Sequence, residues 1–202
     1  EAPQSVPDVS MIMCVLDEID RIPQAIDEFD TSARGRTEQV EIIILDNGSI
    51  DGTRDWLSSI NRPDIRIVLN DKNIGKGGSI KRGIAMSRGA YIVIHDPDLE
   101  YRADDIWRLL DAVRKEGASL GLGSRLLEGK ASYKYFTNYL GVLFLRWVIN
   151  ALFGCRTTDP ATAMKILNGQ HARSITLDSD GFDLDFEIVT RTTRLGGNII
   201  ER

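Results

Sequence analysis

Short apolar runs alternate with amphipathic stretches along most of this chain, and that rhythm leaves it few folds to choose from. Val9-Ser-Met-Ile-Met-Cys-Val-Leu16 and residues 40–45, 65–69, 91–95 and 119–123 are nearly continuous apolar runs, the mark of strands buried on both faces. Between the first two, Ile19, Ile22, Ile26 and Phe29 recur three or four residues apart, as one face of a helix would. Residues 54–60 and 75–87 read as two more helices. Ile106, Leu109, Leu110 and Val113 mark another, with Asp104 and Asp105 in its first turn, where the helix dipole favours acids. Strands alternating with helices through residue 123 predict right-handed βαβ units and a mostly parallel sheet sandwiched by helices, an α/β fold. Such sheets bind ligands beyond the carboxyl ends of their strands. Asp17-Glu18, residues 46–51 and residues 96–98 follow the first, second and fourth runs. Acidic groups gathered on one edge repel one another unless cations or hydrogen-bond donors sit among them, which makes that edge a candidate site.

Composition narrows the function classes. The 202 residues carry 25 Lys and Arg against 30 Asp and Glu, a net charge of -5, and are 42% hydrophobic. That excludes a disordered or fibrous chain, fits one domain with a sizeable core, and argues against a nucleic-acid binder. Two cysteines, Cys14 and Cys155, are too few for a disulfide scaffold or a tetrathiolate zinc site and fit a reducing, cytoplasmic setting. The chain opens Glu1-Ala-Pro-Gln-Ser-Val-Pro-Asp8 and stops at Gly197-Asn-Ile-Ile-Glu-Arg202 as a strand-like run begins. We expect a flexible segment over 1–8, one domain over 9–202, and a longer parent chain truncated at the carboxyl end. Residues 133–153 are aromatic and aliphatic but interrupted by Lys134, Asn138, Arg146 and Asn150, unlike the roughly 20 uninterrupted apolar residues of a membrane span. They read either as an amphipathic helix lying on a membrane or partner, or as an internal helix covering the sheet.

Asp96-Pro97-Asp98 closes an apolar strand. Two carboxylates one residue apart address one divalent cation, and Mg²⁺ or Mn²⁺ commonly shares such ligands with substrate phosphates. Asp46-Asn-Gly-Ser-Ile-Asp-Gly-Thr53 has turn-forming residues and brings N–H groups and carboxylates to the ligand edge. Asn73-Ile-Gly-Lys-Gly-Gly78 lacks the spacing of a P-loop or a Rossmann fingerprint, but Lys76 at a helix N-terminus predicts an anion contact. His95 reads as a satisfied core histidine. Asp183, Asp185 and Glu187 read as the first turn of a helix.

Five segments in order resemble glycosyltransferase family 2, the inverting enzymes of the GT-A fold, and in particular the dolichyl- or polyprenyl-phosphate sugar synthases. They are Leu16-Asp-Glu18, Asp46 to Thr53, Asn73-Ile-Gly-Lys-Gly77, Asp96-Pro-Asp-Leu-Glu-Tyr101 and Gly123-Ser-Arg125. Thr158-Asp-Pro160 and Gly181-Phe-Asp-Leu-Asp-Phe-Glu187 continue the likeness, which spans roughly residues 9–202. The resemblance implies a nucleotide-sugar-binding half over 9–125 and an acceptor half over 126–202. It implies that Asp17, Glu18, Asp46 and Asn47 line the nucleotide pocket, that Lys76 flanks it, and that Asp96 and Asp98 bind Mg²⁺ or Mn²⁺ at the donor diphosphate. Arg125 would hold an anion, Asp159 would be a catalytic acid or base, Lys165 would neutralise phosphate charge, and Asp185 would lie on the acceptor side. Two departures stand out. Cys14-Val-Leu-Asp-Glu18 replaces the family's Pro-x-Tyr-Asn-Glu, so Leu16 offers no aromatic surface for the base. Asn47 replaces the second Asp of Asp-Asp-Gly-Ser, and an amide suits the mixed donor and acceptor edge of uracil, which tilts the expectation from GDP to UDP.

The reaction so implied moves a sugar from the nucleotide to an acceptor with inversion. A polyprenyl phosphate attacks unaided, whereas a carbohydrate hydroxyl needs a base such as Asp159. The apolar stretch at 133–153 favours the lipid phosphate and a peripheral contact at the cytoplasmic face of a membrane. Two other readings stay open: a sugar-nucleotidyltransferase, although the basic Gly-rich loop expected after its first strand is lacking, and a non-catalytic sugar-nucleotide-binding domain of the same fold.

Overall fold

The computed structural model describes residues 6–99, 101–125 and 136–202, with backbone alone over 136–144. Residues 1–5 of the expected flexible segment, Glu100 of the Asp96 to Tyr101 motif and residues 133–135 of the amphipathic stretch lie outside the described residues.

The apolar runs form strands β1 (Val9–Val15), β2 (Val40–Asp46), β3 (Ile65–Leu69), β4 (Tyr91–Ile94) and β5 (Leu120–Leu122). The run near the end forms β7 (Ile199–Glu201), and β6 (Lys165–Asn168) completes a seven-stranded sheet in the order β3-β2-β1-β4-β6-β5-β7. Only β6 runs against its neighbours, pairing antiparallel with both β4 and β5. Helices α1 (Ile22–Ser32), α2 (Thr53–Ser59), α3 (Gly75–Met86) and α4 (Ala103–Glu116) are the crossovers between parallel strands. α5 (Phe136–Phe153), α6 (Gly169–Ser174) and α7 (Leu184–Arg194) belong to the second half. α4 has the charge pattern its dipole favours, with Asp104 and Asp105 first and Arg114 and Lys115 last, and Gly117 ends it at φ 59.

Alternation along each strand sorts the core into two layers. Met11, Met13, Ile42, Ile44, Val93 and Ile166 face α1 and α4, whose Ile22, Phe29, Ile106 and Leu110 pack on them. Ile12, Ile43, Leu45, Ile92, Ile94 and Leu167 face Ile80 and Ile84 of α3 and Leu184 and Ile188 of α7. On α5, Ile149 is buried in this second layer while Leu145, Trp147 and Leu152 are exposed. The helix thus packs on the sheet through Ile149, leaving Leu145 and Leu152 exposed along one side and Trp147 exposed on roughly the opposite side. Among the described residues no helix is long and apolar enough to cross a membrane.

The strand order has a consequence for ligand placement. The chain moves outward from β1 through β2 to β3, then returns to the other side of β1 for β4. The carboxyl ends of β1 and β4 therefore flank a topological switch point, where open α/β sheets bind ligands. Because β6 is reversed, its first residue, Lys165, reaches the same edge, opposite Ile94.

Candidate active site

Four charged side chains alternate in sign from the edge of the switch point inward. Lys76 Nζ donates to Asp96 Oδ2 at 2.6 Å and lies 3.6 Å from Asp185 Oδ2, while Lys165 Nζ donates to Asp185 Oδ1 at 2.6 Å. Side-chain exposure falls along the row, from 20% for Asp96 to 10% for Lys76, 8% for Asp185 and 0% for Lys165. Burial works against the charge on Lys76, but Asp96 and Asp185 outweigh it and raise its pKa. Burial raises the pKa of the Asp96 carboxyl, with Asp185 and Asp98 adding to the effect against Lys76. The same edge holds Asp98, half-buried, after which Leu99 turns through a left-handed φ of 62°. That conformation is costly for a bulky residue and is found where function demands it.

A second cluster adjoins the first. Arg125 grips Asp159 from Nε at 2.9 Å and Nη2 at 3.2 Å, a bidentate pair in which Asp159 is fully buried. Glu201 on β7 holds the segment in place by accepting from the backbone N–H of Thr158 and Asp159 at 2.8 and 3.2 Å. Thr162 joins the clusters: its N–H donates to the Asp159 carbonyl, its own carbonyl accepts from Lys165, and its hydroxyl is 2.8 Å from the Tyr101 hydroxyl. The loop after Asp98 is thereby tied to the segment after Asp159.

The edge brings together most of the residues singled out in the sequence, but not in the attitudes expected. Asp17 is exposed beside the switch point, held at φ 56° by accepting from Ile50 N–H and donating its own N–H to Ser49 Oγ. Glu18, half-buried, pairs with Arg21 at 2.9 Å. Asp46 and Asn47 need correction, because both turn inward. Asp46 is fully buried and accepts from the N–H groups of Gly48 and Ser49. The Asn47 amide oxygen accepts from Asn70 at 2.9 Å and Ser79 at 2.8 Å, and its nitrogen donates to the Gly75 carbonyl at 3.2 Å. An amide so engaged reads no base, so the sequence argument for uracil falls. Lys165 meets Asp185 and Thr162 rather than solvent. His95 is buried, but its Nδ1 has no partner, and burial pushes its pKa down to about 4.

The glycines of 75–78 serve close packing. A Cβ on Gly75 would lie 2.1 Å from the Asp180 carbonyl oxygen and one on Gly77 2.5 Å from that of Ser179. The Gly78 N–H donates to the Asp180 carbonyl. These glycines seat the 178–183 loop and do not present a free phosphate cradle. The loop brings Phe182 over Lys76, with Nζ 5.6 Å from the ring centroid. Phe182, Thr162, Tyr101 and Glu201 escaped the sequence reading of the site; an aromatic residue in an acidic, glycine-containing turn was the one available signal.

A divalent cation fits this edge. Asp96 and Asp98 offer hard oxygen ligands, and the Lys76 ammonium already lies against Asp96 where positive charge is required. Among the described residues no group of three or more His, Cys, Asp or Glu gathers as a closed metal cage. A two-carboxylate site that leaves room for phosphate oxygens and water is how Mg²⁺ is usually held.

Comparison with known proteins gives the family and the fold. Residues 10–173 match the sequence profile of Glycosyl transferase family 2. The chain belongs to that family. An undecaprenyl-phosphate mannosyltransferase of Micrococcus luteus is 26% identical over 96% of the chain and 81% of its own length. A dolichyl-phosphate beta-glucosyltransferase of Dictyostelium discoideum is 35% identical over 58% of the chain. A succinoglycan biosynthesis protein of Rhizobium meliloti is 32% identical over 58%. The chain spans 39% and 33% of the lengths of these last two. Among solved structures, glucosyl-3-phosphoglycerate synthase of Mycobacterium tuberculosis bound to UDP superposes with a TM-score of 0.75 at 21% identity, over 96% of the chain and 69% of its own. The same enzyme has been crystallised with Mn²⁺ and UDP. The family 2 chain thus has the GT-A glycosyltransferase fold implied by its motifs.

Proposed function

We propose that this family 2 chain is the catalytic part of a metal-dependent, inverting glycosyltransferase that moves a sugar from a nucleotide donor to a polyprenyl phosphate. The observation that carries the reading is the alternating row of charge at the switch point, ending on the Asp96-Pro97-Asp98 turn. Residues 9–125 supply the donor half, with Asp17 and Glu18 beside the nucleotide and Lys76 beside the diphosphate. Residues after 125 supply the acceptor half. Asp96 and Asp98 would hold Mg²⁺ or Mn²⁺, which supplies Lewis-acid neutralisation of the leaving diphosphate.

In the reaction, an acceptor phosphate oxygen forms a bond to the anomeric carbon on the face opposite the diphosphate. The bond from that carbon to the donor oxygen breaks, and its electron pair leaves on the nucleoside diphosphate. Lys76 faces the charge that develops, at a preorganised position and with little reorganisation. Asp159 has both oxygens on Arg125, and Asp185 has one on each lysine. Both carboxylates are thus engaged in ion pairs, which favours an acceptor already ionised over a hydroxyl that needs a free base. The undecaprenyl- and dolichyl-phosphate transferases among the relatives support the same choice. The exposed Leu145 and Leu152 along one side of α5 are the apolar side chains that would meet a membrane, at its cytoplasmic face. UDP is the first donor to test, since a relative of the same fold binds it with Mn²⁺.

Calorimetric titration of UDP and GDP, with and without Mn²⁺, tests the donor site. One nucleotide should bind with manganese present, and Asp98→Ala should weaken that binding about tenfold or more, the scale of metal-site disruptions. Binding of neither nucleotide would overturn the assignment. Binding without sugar transfer to undecaprenyl phosphate would leave a non-catalytic domain.

A further inference from the structure

Phe182 is the feature of this edge that nothing so far explains. It is 76% exposed, in a turn whose other members are Asp180, Gly181 and Asp183. Exposing a large ring forgoes the stabilisation its burial would bring. Despite that exposure, its support is firm. Glu187 accepts from the N–H groups of Asp178 and Ser179 at 2.9–3.0 Å, Arg191 holds Asp178 at 2.6 Å, and Lys81 holds Asp180 at 2.8 Å. The loop also rests on Gly75 and Gly77, where no side chain would fit. Its ring lies over the ammonium of Lys76, which itself holds Asp96. An aromatic face is therefore fixed within one side chain of the carboxylate assigned to the donor diphosphate.

We infer that Phe182 is a binding and specificity residue for the transferred sugar, its ring packing against the C–H face of the donor's pyranose. The inference rests on the donor-site reading above and adds the group that recognises the sugar. A pyranose has one face rich in C–H bonds, which suits an aromatic surface, and its hydroxyls point outward to polar partners. A Phe side chain has only two rotatable bonds, so holding it ready costs little entropy. The diphosphate fixes the anomeric end of the sugar at Asp96 and Lys76. The ring beside them then restricts the orientation of the sugar about its glycosidic bond.

The test compares sugar nucleotides with their bare diphosphates in the presence of Mn²⁺. UDP, UDP-glucose, GDP and GDP-mannose are titrated against wild type, Phe182→Ala and Phe182→Tyr. For the pair that binds, Phe182→Ala should weaken the sugar nucleotide about fivefold while leaving the diphosphate within about twofold, and Phe182→Tyr should restore wild-type affinity. Equal weakening of sugar nucleotide and diphosphate would overturn the inference, because Phe182 would then act through Lys76. No change in either would also overturn it. Failure of wild type to bind any of the four would sink the donor site itself and the inference with it.

Discussion

At the scale of single residues, Lys165 and Asp185 carry the greatest energetic consequence. A fully buried ammonium survives only because a carboxylate meets it, and removing one partner of such a pair leaves an uncompensated charge. Lys165→Met and Asp185→Leu should each cost about 3–5 kcal/mol in urea unfolding. The double variant should lose less than the sum, because neither charge is then stranded. Additive losses would mean that the two do not act as a pair. This scale is also where the sequence was least legible. Asp17, Asp96 and Asp98 could be placed at the ligand edge because they directly follow apolar strands. Asn47 could not be placed, since its inward turn depends on Asn70, Ser79 and Gly75, residues from elsewhere in the chain. Residue type tells what a side chain can bond to, whereas the fold decides which partners reach it first. Phe182 was hidden for the converse reason, as its placement depends on a loop that two distant glycines hold in place.

Elements were more legible where their pattern was local. β1 to β5 and helices α1 to α4 follow from runs and periodicities within a few residues of themselves. β6 did not, because Lys-Ile-Leu-Asn is too short to signal a strand and owes its existence to β4 and β5 on either side. The docking of α4 onto the segment before β2 offers a test at this scale. Glu38 accepts from Arg36 at 2.8 Å and from Arg114 on α4, and Arg36 also reaches Asp111 on that helix at 2.9 Å. Arg36 lies 4.9 Å from the Trp107 ring, which stacks on Phe29 of α1 at 5.5 Å. Arg36 lowers the Glu38 carboxyl to about 2, against burial and with help from Arg114. A depressed native pKa adds stability above the unfolded value, near 4.5, and that stability is lost as pH falls toward 2. Glu38→Gln should therefore lower Tm at pH 7 by about 2–4 °C, and its gap from wild type should close between pH 4.5 and 2. A gap that is constant with pH would show that the ionised carboxylate is not what holds α4.

For the whole molecule, the α/β class and the ligand edge were readable because a repeated rhythm constrains topology, whereas the reversal of β6 and the strand order were not. The proposed membrane contact through α5 offers a test at this scale. Wild type should co-sediment with vesicles of phosphatidylethanolamine and phosphatidylglycerol. The pair Leu145→Ser and Leu152→Ser should reduce the bound fraction several-fold without altering Mn²⁺-dependent nucleotide binding. Equal sedimentation of both proteins would remove α5 from the membrane contact. The pairing of β5 with β6 has one more implication. Leu122 and Lys165 face each other across that pair, so residues 123–164 depart from the sheet and rejoin it at adjacent points. Ser124 and Arg125 lie at the start of this excursion, and Asp159 and Thr162 near its end. The two roots of the excursion are thereby held against each other, Arg125 of the first meeting Asp159 of the second, so a segment of some length is pinned at the reaction edge by its own ends.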